Sequence, residues 1–137
     1  MSLFLRTPIL QRWLGRSTAL ITFTGRNTAR TYTTPVTYAR RGTSVVVLTR
    51  ESRQWWRNLN EDTPVRMRLA GRDHDATATA RVGTADDADV VSEFLAVRRF
   101  DAKAHGVPIR ADGQPDRQAL MDLLPNIVVA RITLVDR

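Results

Sequence analysis

The sequence predicts an α+β fold built as a small barrel of about six mainly antiparallel strands. Three observations predict it: segments alternating apolar and polar residues recur along the chain, hairpin turns join them, and only two or three stretches carry helical spacing. A doubly wound sheet would need crossover helices between its strands, and these are missing. At 137 residues the chain can enclose a single hydrophobic core, so residues 1–137 are expected to form one domain. Hydrophobic residues at 42% and charged residues at 26% are the proportions of a folded globular chain.

The first element is an amphipathic helix within residues 1–16, with Thr7 as N-cap, Pro8 at the first helical position and Ile9, Leu10, Trp13 and Leu14 in one stripe. Arg6, Arg12 and Arg16 lie towards its polar side. Such a helix either packs on the domain or makes peripheral contact with an anionic membrane. Ala19 to Thr24, Thr31 to Arg40 and Ser44 to Arg50 are rich in β-branched and aromatic residues, and Arg41-Gly42-Thr43 turns the second strand into the third. A short helical piece spans Gln54 to Asn60. Val65, Met67 and Leu69 then alternate with Arg66, Arg68 and Ala70, and past Gly71-Arg72 the alternation resumes with Ala76, Ala78, Ala80 and Val82.

Thr84 and Asp87 have the spacing of a capping box, and Val90, Val91, Phe94, Leu95 and Val97 recur behind them, predicting a helix from Ala85 to Ala102. Asp86, Asp87 and Asp89 fall in its first turn, where the helix dipole favours negative charge, which makes them structural. His105 to Pro115 is a loop by its glycine, proline and polar content, either a lid or a mobile connection. A short helix from Arg117 to Leu124 and a last strand from Ile127 to Val135 complete the order.

Composition also narrows the chemistry. Without cysteine there is no disulfide, thiolate nucleophile or sulfur-ligated zinc, which suits a reducing cytoplasm. No apolar run approaches the length of a membrane span, and the amino terminus lacks a secretory signal pattern, so the protein is expected in the cytoplasm or at the inner face of the membrane. Neither His74 nor His105 has metal-ligand spacing to a second ligand, and no G-x-S-x-G elbow, Rossmann fingerprint or P-loop is present. The sequence therefore predicts no catalytic side chain and no metal ligand. A surplus of 21 Lys+Arg over 14 Asp+Glu, net +7, calls for an anionic partner.

Gly25-Arg26-Asn27-Thr28-Ala29-Arg30-Thr31-Tyr32-Thr33-Thr34-Pro35 is dense in guanidinium, amide and hydroxyl donors and lies between two strands. Glycine permits a tight backbone turn, exposed N–H groups can line an anion concavity, and arginine adds planar bidentate donors. Taken alone, the segment is either a phosphate-holding loop or a hairpin connection with solvated arginines.

This segment, with Val36-Thr37-Tyr38 and the later Trp55-Trp56-Arg57-Asn58-Leu59, resembles the flavin/deazaflavin oxidoreductases of the split β-barrel fold, particularly the deazaflavin-dependent nitroreductase family. Thr24, Gly25, Arg26, Thr28 and Pro35 match the family's first motif; Trp55 or Trp56, with Asn58 and Leu59, match its second. Asn27 stands where the family usually has lysine, Ala29 replaces the usual glycine, and Tyr32 occupies a place where arginine is common. The resemblance implies a split β-barrel with two to four flanking helices, a homodimer, and an oxidoreductase using the deazaflavin coenzyme F420. It also implies that Arg26, Asn27, Thr28 and Arg30 hold the coenzyme's phosphate or oligoglutamate tail. Thr34, Pro35 and Val36 would meet its ring, Thr49 and Arg50 would add contacts at the end of the third strand, and Trp55, Trp56 and Asn58 would close the groove.

The implied reaction passes a hydride from reduced coenzyme F420 to an unsaturated, quinone-like or nitro organic acceptor, with orientation and water exclusion supplied by the protein. Two alternatives stand beside it: the same groove holding FMN or haem without turnover, and a basic domain that binds nucleic acid by stacking on Trp55 and Tyr32. Against nucleic acid as a partner, Arg26, Arg30, Arg66, Arg68 and Arg72 are scattered over several elements, and no nucleic-acid signature occurs.

Overall fold

The computed structural model describes residues 18–25 and 28–135; the helix expected within residues 1–16, together with Arg26 and Asn27, lies outside the described residues. Six strands, β1 Thr18–Thr24, β2 Thr31–Arg41, β3 Ser44–Arg50, β4 Thr63–Leu69, β5 Arg72–Val82 and β6 Ile127–Leu134, close in the order β1-β2-β3-β6-β5-β4. Every neighbouring pair is antiparallel. Closure removes the sheet edges that would otherwise expose unpaired backbone groups. The β1–β4 seam is the shortest, pairing only Leu20, Ile21 and Thr22 with Arg68, Met67 and Arg66.

Alternation builds the barrel interior, where Ala19, Ile21 and Phe23 of β1 meet Val65, Met67 and Leu69 of β4 and the small Ala76, Ala78 and Ala80 of β5. β3 and β6 also bury their outer face. This is why Val45–Leu48 and Ile127–Ala130 are unbroken apolar runs rather than alternating ones. Their outer side chains Val46, Leu48, Ile127 and Val129, with Ala39 of β2, form a second core beneath three helices: α1 Ala88–Val97, α2 Arg99–Ala104 and α3 Arg117–Leu123.

The helix expected from Ala85 to Ala102 is two helices preceded by a 3-10 turn at Ala85–Asp87. It breaks at Arg98, whose backbone leaves helical geometry at φ −109° and ψ 72°. A tertiary contact accounts for the break: the Arg98 guanidinium donates to the Tyr38 carbonyl at 3.2 Å and pairs with Asp101. The segment after α2 is tied down by an Ile109–Pro115 bridge and by buried Val107.

The expected capping box is present. The Thr84 backbone N–H donates to Asp87 Oδ2 at 2.9 Å, and Arg131 Nη2 donates to Asp87 Oδ1 at 2.8 Å, which clamps the start of the helical layer to β6. Partial burial by itself would raise the Asp87 carboxyl, but the bonds from Arg131 and Thr84 outweigh it and hold the group below its ordinary 3.8. A carboxyl lowered by folding stabilises the fold above its unfolded value and loses that contribution as pH falls through its folded value. Denaturant unfolding should therefore show stability falling below about pH 4, with a shallower fall in Asp87→Asn. Equal slopes in the two proteins would remove Asp87 from the account.

Candidate active site

Two adjoining hollows open at one end of the barrel and share Trp55 as a wall. The larger, about 410 Å³, is lined by Phe23, Gly25, Thr28, Tyr32, Thr33, Thr34, Gln54, Trp55 and Asn58. The smaller, about 190 Å³, is lined by Pro35, Val36, Thr37, Leu48, Thr49, Arg50, Arg53, Trp55 and His105. The two meet at Trp55, with the consecutive β2 residues Thr34 and Pro35 lining one each, so the site has an aromatic part and a cationic part.

The aromatic part is built on the end of β1. Phe23 packs against Tyr32 and Trp55, with ring centroids 5.9 Å apart in both pairs and tilts of 31° and 32°. Trp55 opens the 3-10 turn Trp55–Asn58, which is tied to the barrel by the Leu59 carbonyl accepting from Ala80 N–H at 2.9 Å. Asn58 Nδ2 donates back to the Trp55 carbonyl at 2.9 Å, bracing the tryptophan. Trp56 lines neither hollow: its indole N–H donates to the Glu51 carbonyl at 3.2 Å, and Arg57 lies 4.8 Å from its ring centre. Its role is to anchor the turn against the barrel core.

The loop at residues 25–30 is closed by its own backbone, with Gly25 N–H donating to the Arg30 carbonyl at 2.7 Å and Ala29 N–H to the Gly25 carbonyl at 3.0 Å. Thr28 Oγ1 accepts from Arg30 N–H at 3.2 Å and lies 3.1 Å from the Tyr32 hydroxyl. Gly25 is required here by close approach. A Cβ would come within 2.7 Å of the Tyr32 ring and 2.9 Å of Thr28 Oγ1. Ala29 sits in the left-handed region at φ 60°, the backbone state for which glycine is suited. Ala29→Gly should stabilise the fold by up to about 1 kcal/mol, the left-handed cost of an L-residue less the entropy that glycine loses. A lower unfolding midpoint for that variant would show that the alanine carries no strain.

Of the residues expected at the site, Thr28, Thr34 and Asn58 line the aromatic hollow, Pro35, Val36, Thr49 and Arg50 the cationic one, and Trp55 both. Arg30 is exposed beside the loop and lines neither. The sequence reading missed Phe23, Gln54, Arg53 and His105 as lining residues, and gave Tyr32 no part in this groove. Tyr32 was within reach, since the period of two that selects Thr34 and Val36 also selects it. His105 gave no local signal, because only the fold brings it to the hollow that Arg50 lines, and Arg53 lies in the turn after β3 outside both motifs. Among the described residues no cluster of histidine and carboxylate side chains could hold a metal ion. The site thus offers an aromatic surface and a cationic one side by side.

The sequence profile of the F420H2-dependent quinone reductase family matches residues 5–103. The chain belongs to this family. Membership makes the protein an oxidoreductase dependent on coenzyme F420. The resemblance carried by Gly25, Arg26, Thr28, Pro35, Trp55 and Asn58 thus extends to the coenzyme.

Among solved structures, the reductase is similar to a conserved hypothetical protein from Mycobacterium tuberculosis, at 14% identity and TM-score 0.54, covering 88% of this chain and 74% of that one. That likeness extends to the fold. An F420 reductase aligns at 12% identity and TM-score 0.48 over 94% of this chain and 92% of its own. A FAD and heme binding protein from Mycobacterium smegmatis aligns at 15% identity and TM-score 0.48, over 94% and 69%. Among curated proteins no significant match to the reductase is found. No helix among its described residues is long and apolar enough to cross a membrane.

Proposed function

We propose that the reductase holds coenzyme F420 in the groove on either side of Trp55 and reduces a quinone-like acceptor there. The observation that carries this reading is that the Phe23–Tyr32–Trp55 aromatic wall and the hollow edged by Arg50 and Arg53 share Trp55. A planar ring with an anionic tail needs both kinds of surface in that order.

Arg26, Asn27, Thr28 and Arg30 are assigned to the phosphate or part of the tail, and Arg50, with Arg53, to the rest of it; Thr34, Pro35 and Val36 lie beside the ring, and Thr49 adds a polar contact. Trp55, braced by Asn58, forms the wall against which ring and acceptor are stacked. The reduced coenzyme, when bound, supplies the hydride. The chain's own contribution is orientation and exclusion of water, which raise the effective concentration of the two reactants and protect the transfer.

Fluorescence titration with oxidised coenzyme F420, run beside FMN, tests the reading. Saturable quenching by the deazaflavin, lost in Trp55→Ala, is expected. Preference for FMN would overturn the choice of coenzyme, and titration curves unaffected by Trp55→Ala would place the coenzyme outside this groove. The acceptor is tested by steady-state reduction of a soluble benzoquinone against a nitroaromatic, with the quinone expected to give the larger kcat/KM.

A further inference from the structure

We propose that His105 is a further coenzyme-binding residue, which takes up a proton as the anionic tail settles against Arg50 and Arg53, so that binding is proton-linked. The inference rests on the groove assigned above and adds a residue and a coupling to it.

The geometry supplies three nitrogen-bearing side chains around one small hollow. Arg50 comes from the end of β3, Arg53 from the turn after it, and His105 from the end of α2. Several arginines elsewhere are paired with acids, as in Arg41–Glu93, Arg68–Asp73 and Arg131–Asp87. Neither Arg50 nor Arg53 has a carboxylate partner among the described residues, and the nearby Glu51 is turned to Arg57 at 4.0 Å. Two guanidinium groups with no carboxylate partner among the described residues, beside a hollow of about 190 Å³, leave room for a phosphate or carboxylate.

His105 is fixed in this company by the end of α2. Its N–H donates to the Asp101 carbonyl at 3.0 Å; Gly106 N–H donates to the Lys103 carbonyl at 3.0 Å, and Val107 N–H to the Ala102 carbonyl at 2.8 Å. This is a Schellman turn, with Gly106 at φ 77° as its left-handed residue and buried Val107 as its apolar anchor. The imidazole faces Arg50 and Arg53 across the hollow and Asp101 on its own helix, whose carboxylate is shared with Arg98. Lys103 lines a separate hollow with Gly106 to Ile109.

Burial, and next the charge of Arg50, hold the imidazole below its ordinary 6.5, while Asp101 pulls the other way. Without ligand, His105 is therefore neutral near neutral pH. An anion seated between the arginines cancels their repulsion and adds an attractive charge, and the imidazole then accepts one proton from solvent. Binding strengthens as pH falls through the bound-state value and levels off below the free-state one, with a slope of about tenfold per pH unit at most.

Calorimetric titration of the full chain with oxidised coenzyme F420, in two buffers of different ionisation enthalpy, reads the proton directly. Uptake of a fraction of one proton is expected near pH 7. It should vanish in His105→Asn, whose affinity should be flat where the wild type tightens from about pH 8 to pH 6. The same wild-type chain titrated with the deazaflavin chromophore lacking phosphate and glutamates should show no such uptake, a control independent of any substitution. Uptake persisting in His105→Asn, or equal for the tail-free chromophore, overturns the proposal. Coenzyme binding without proton uptake overturns this inference alone, whereas absence of coenzyme binding overturns it together with the groove assignment.

Discussion

Replacing Arg26 and Arg30 together with alanine is expected to weaken coenzyme F420 binding by about 2–5 kcal/mol. At about 1.4 kcal/mol per factor of ten, that is a loss between roughly 30-fold and several thousand-fold. The size follows from the kind of contact. Each arginine offers charge-assisted donors to phosphate or carboxylate oxygens, and removing both leaves those oxygens with water only on that side. The loop itself should survive the change, because among the described residues it is closed by the backbone of Gly25, Ala29 and Arg30 and by Thr28 Oγ1, which the substitutions leave in place. Unfolding measurements on the double variant should match wild type, while the dissociation constant from fluorescence titration rises. Salt provides an internal check: the wild type's affinity should fall with ionic strength more steeply than the variant's. An unchanged dissociation constant would move the whole tail to the cationic hollow at Arg50 and Arg53.

The barrel was legible in the sequence because its signals are local. Alternation at Val65, Met67 and Leu69, the glycine turn at Gly42 and the capping box at Thr84 and Asp87 each specify geometry within a few residues. The break at Arg98 was not legible, since the periodicity of Val90, Val91, Phe94 and Val97 runs straight into it and only the distant Tyr38 carbonyl explains why the chain leaves the helix. The candidate site divides in the same way. Gly25, Thr28, Pro35, Trp55 and Asn58 lie in two compact motifs, and the sequence named them. Phe23 contributes from the end of β1 through a ring contact across the hairpin, and His105 arrives from a helix more than 50 residues beyond Arg50, so neither advertises itself in a short window. Trp56 was legible as an aromatic but not as to direction. Whether it or Trp55 faces the groove depends on how the 3-10 turn meets the barrel.

Phe94→Ala is expected to cost about 3–5 kcal/mol of folding stability, a large share of the 5–15 kcal/mol typical of a domain this size. Phe94 is 1% exposed and is the largest side chain in the core between the barrel's outer face and the helices, packed among Val46, Leu48, Val129, Leu120 and Leu124. Alanine there removes a ring from a site whose far wall is rigid β-sheet, so collapse fills little of the cavity and both the transfer and the cavity contributions are lost. The consequence reaches the site through α1 and α2. Arg98 N–H donates to the Phe94 carbonyl at 2.9 Å, and His105 caps the end of α2. Loosening that layer should weaken the cationic hollow while leaving Phe23, Tyr32 and Trp55, which belong to the barrel interior and its rim, in place. Urea unfolding followed by tryptophan fluorescence and by far-ultraviolet circular dichroism gives the energy and tests whether the two layers unfold together. A single coincident transition shifted by the stated amount is expected. A loss below about 1 kcal/mol, or two separated transitions, would mean that the helical layer is not part of the barrel's cooperative unit, and that His105 is held more loosely than its Schellman turn implies.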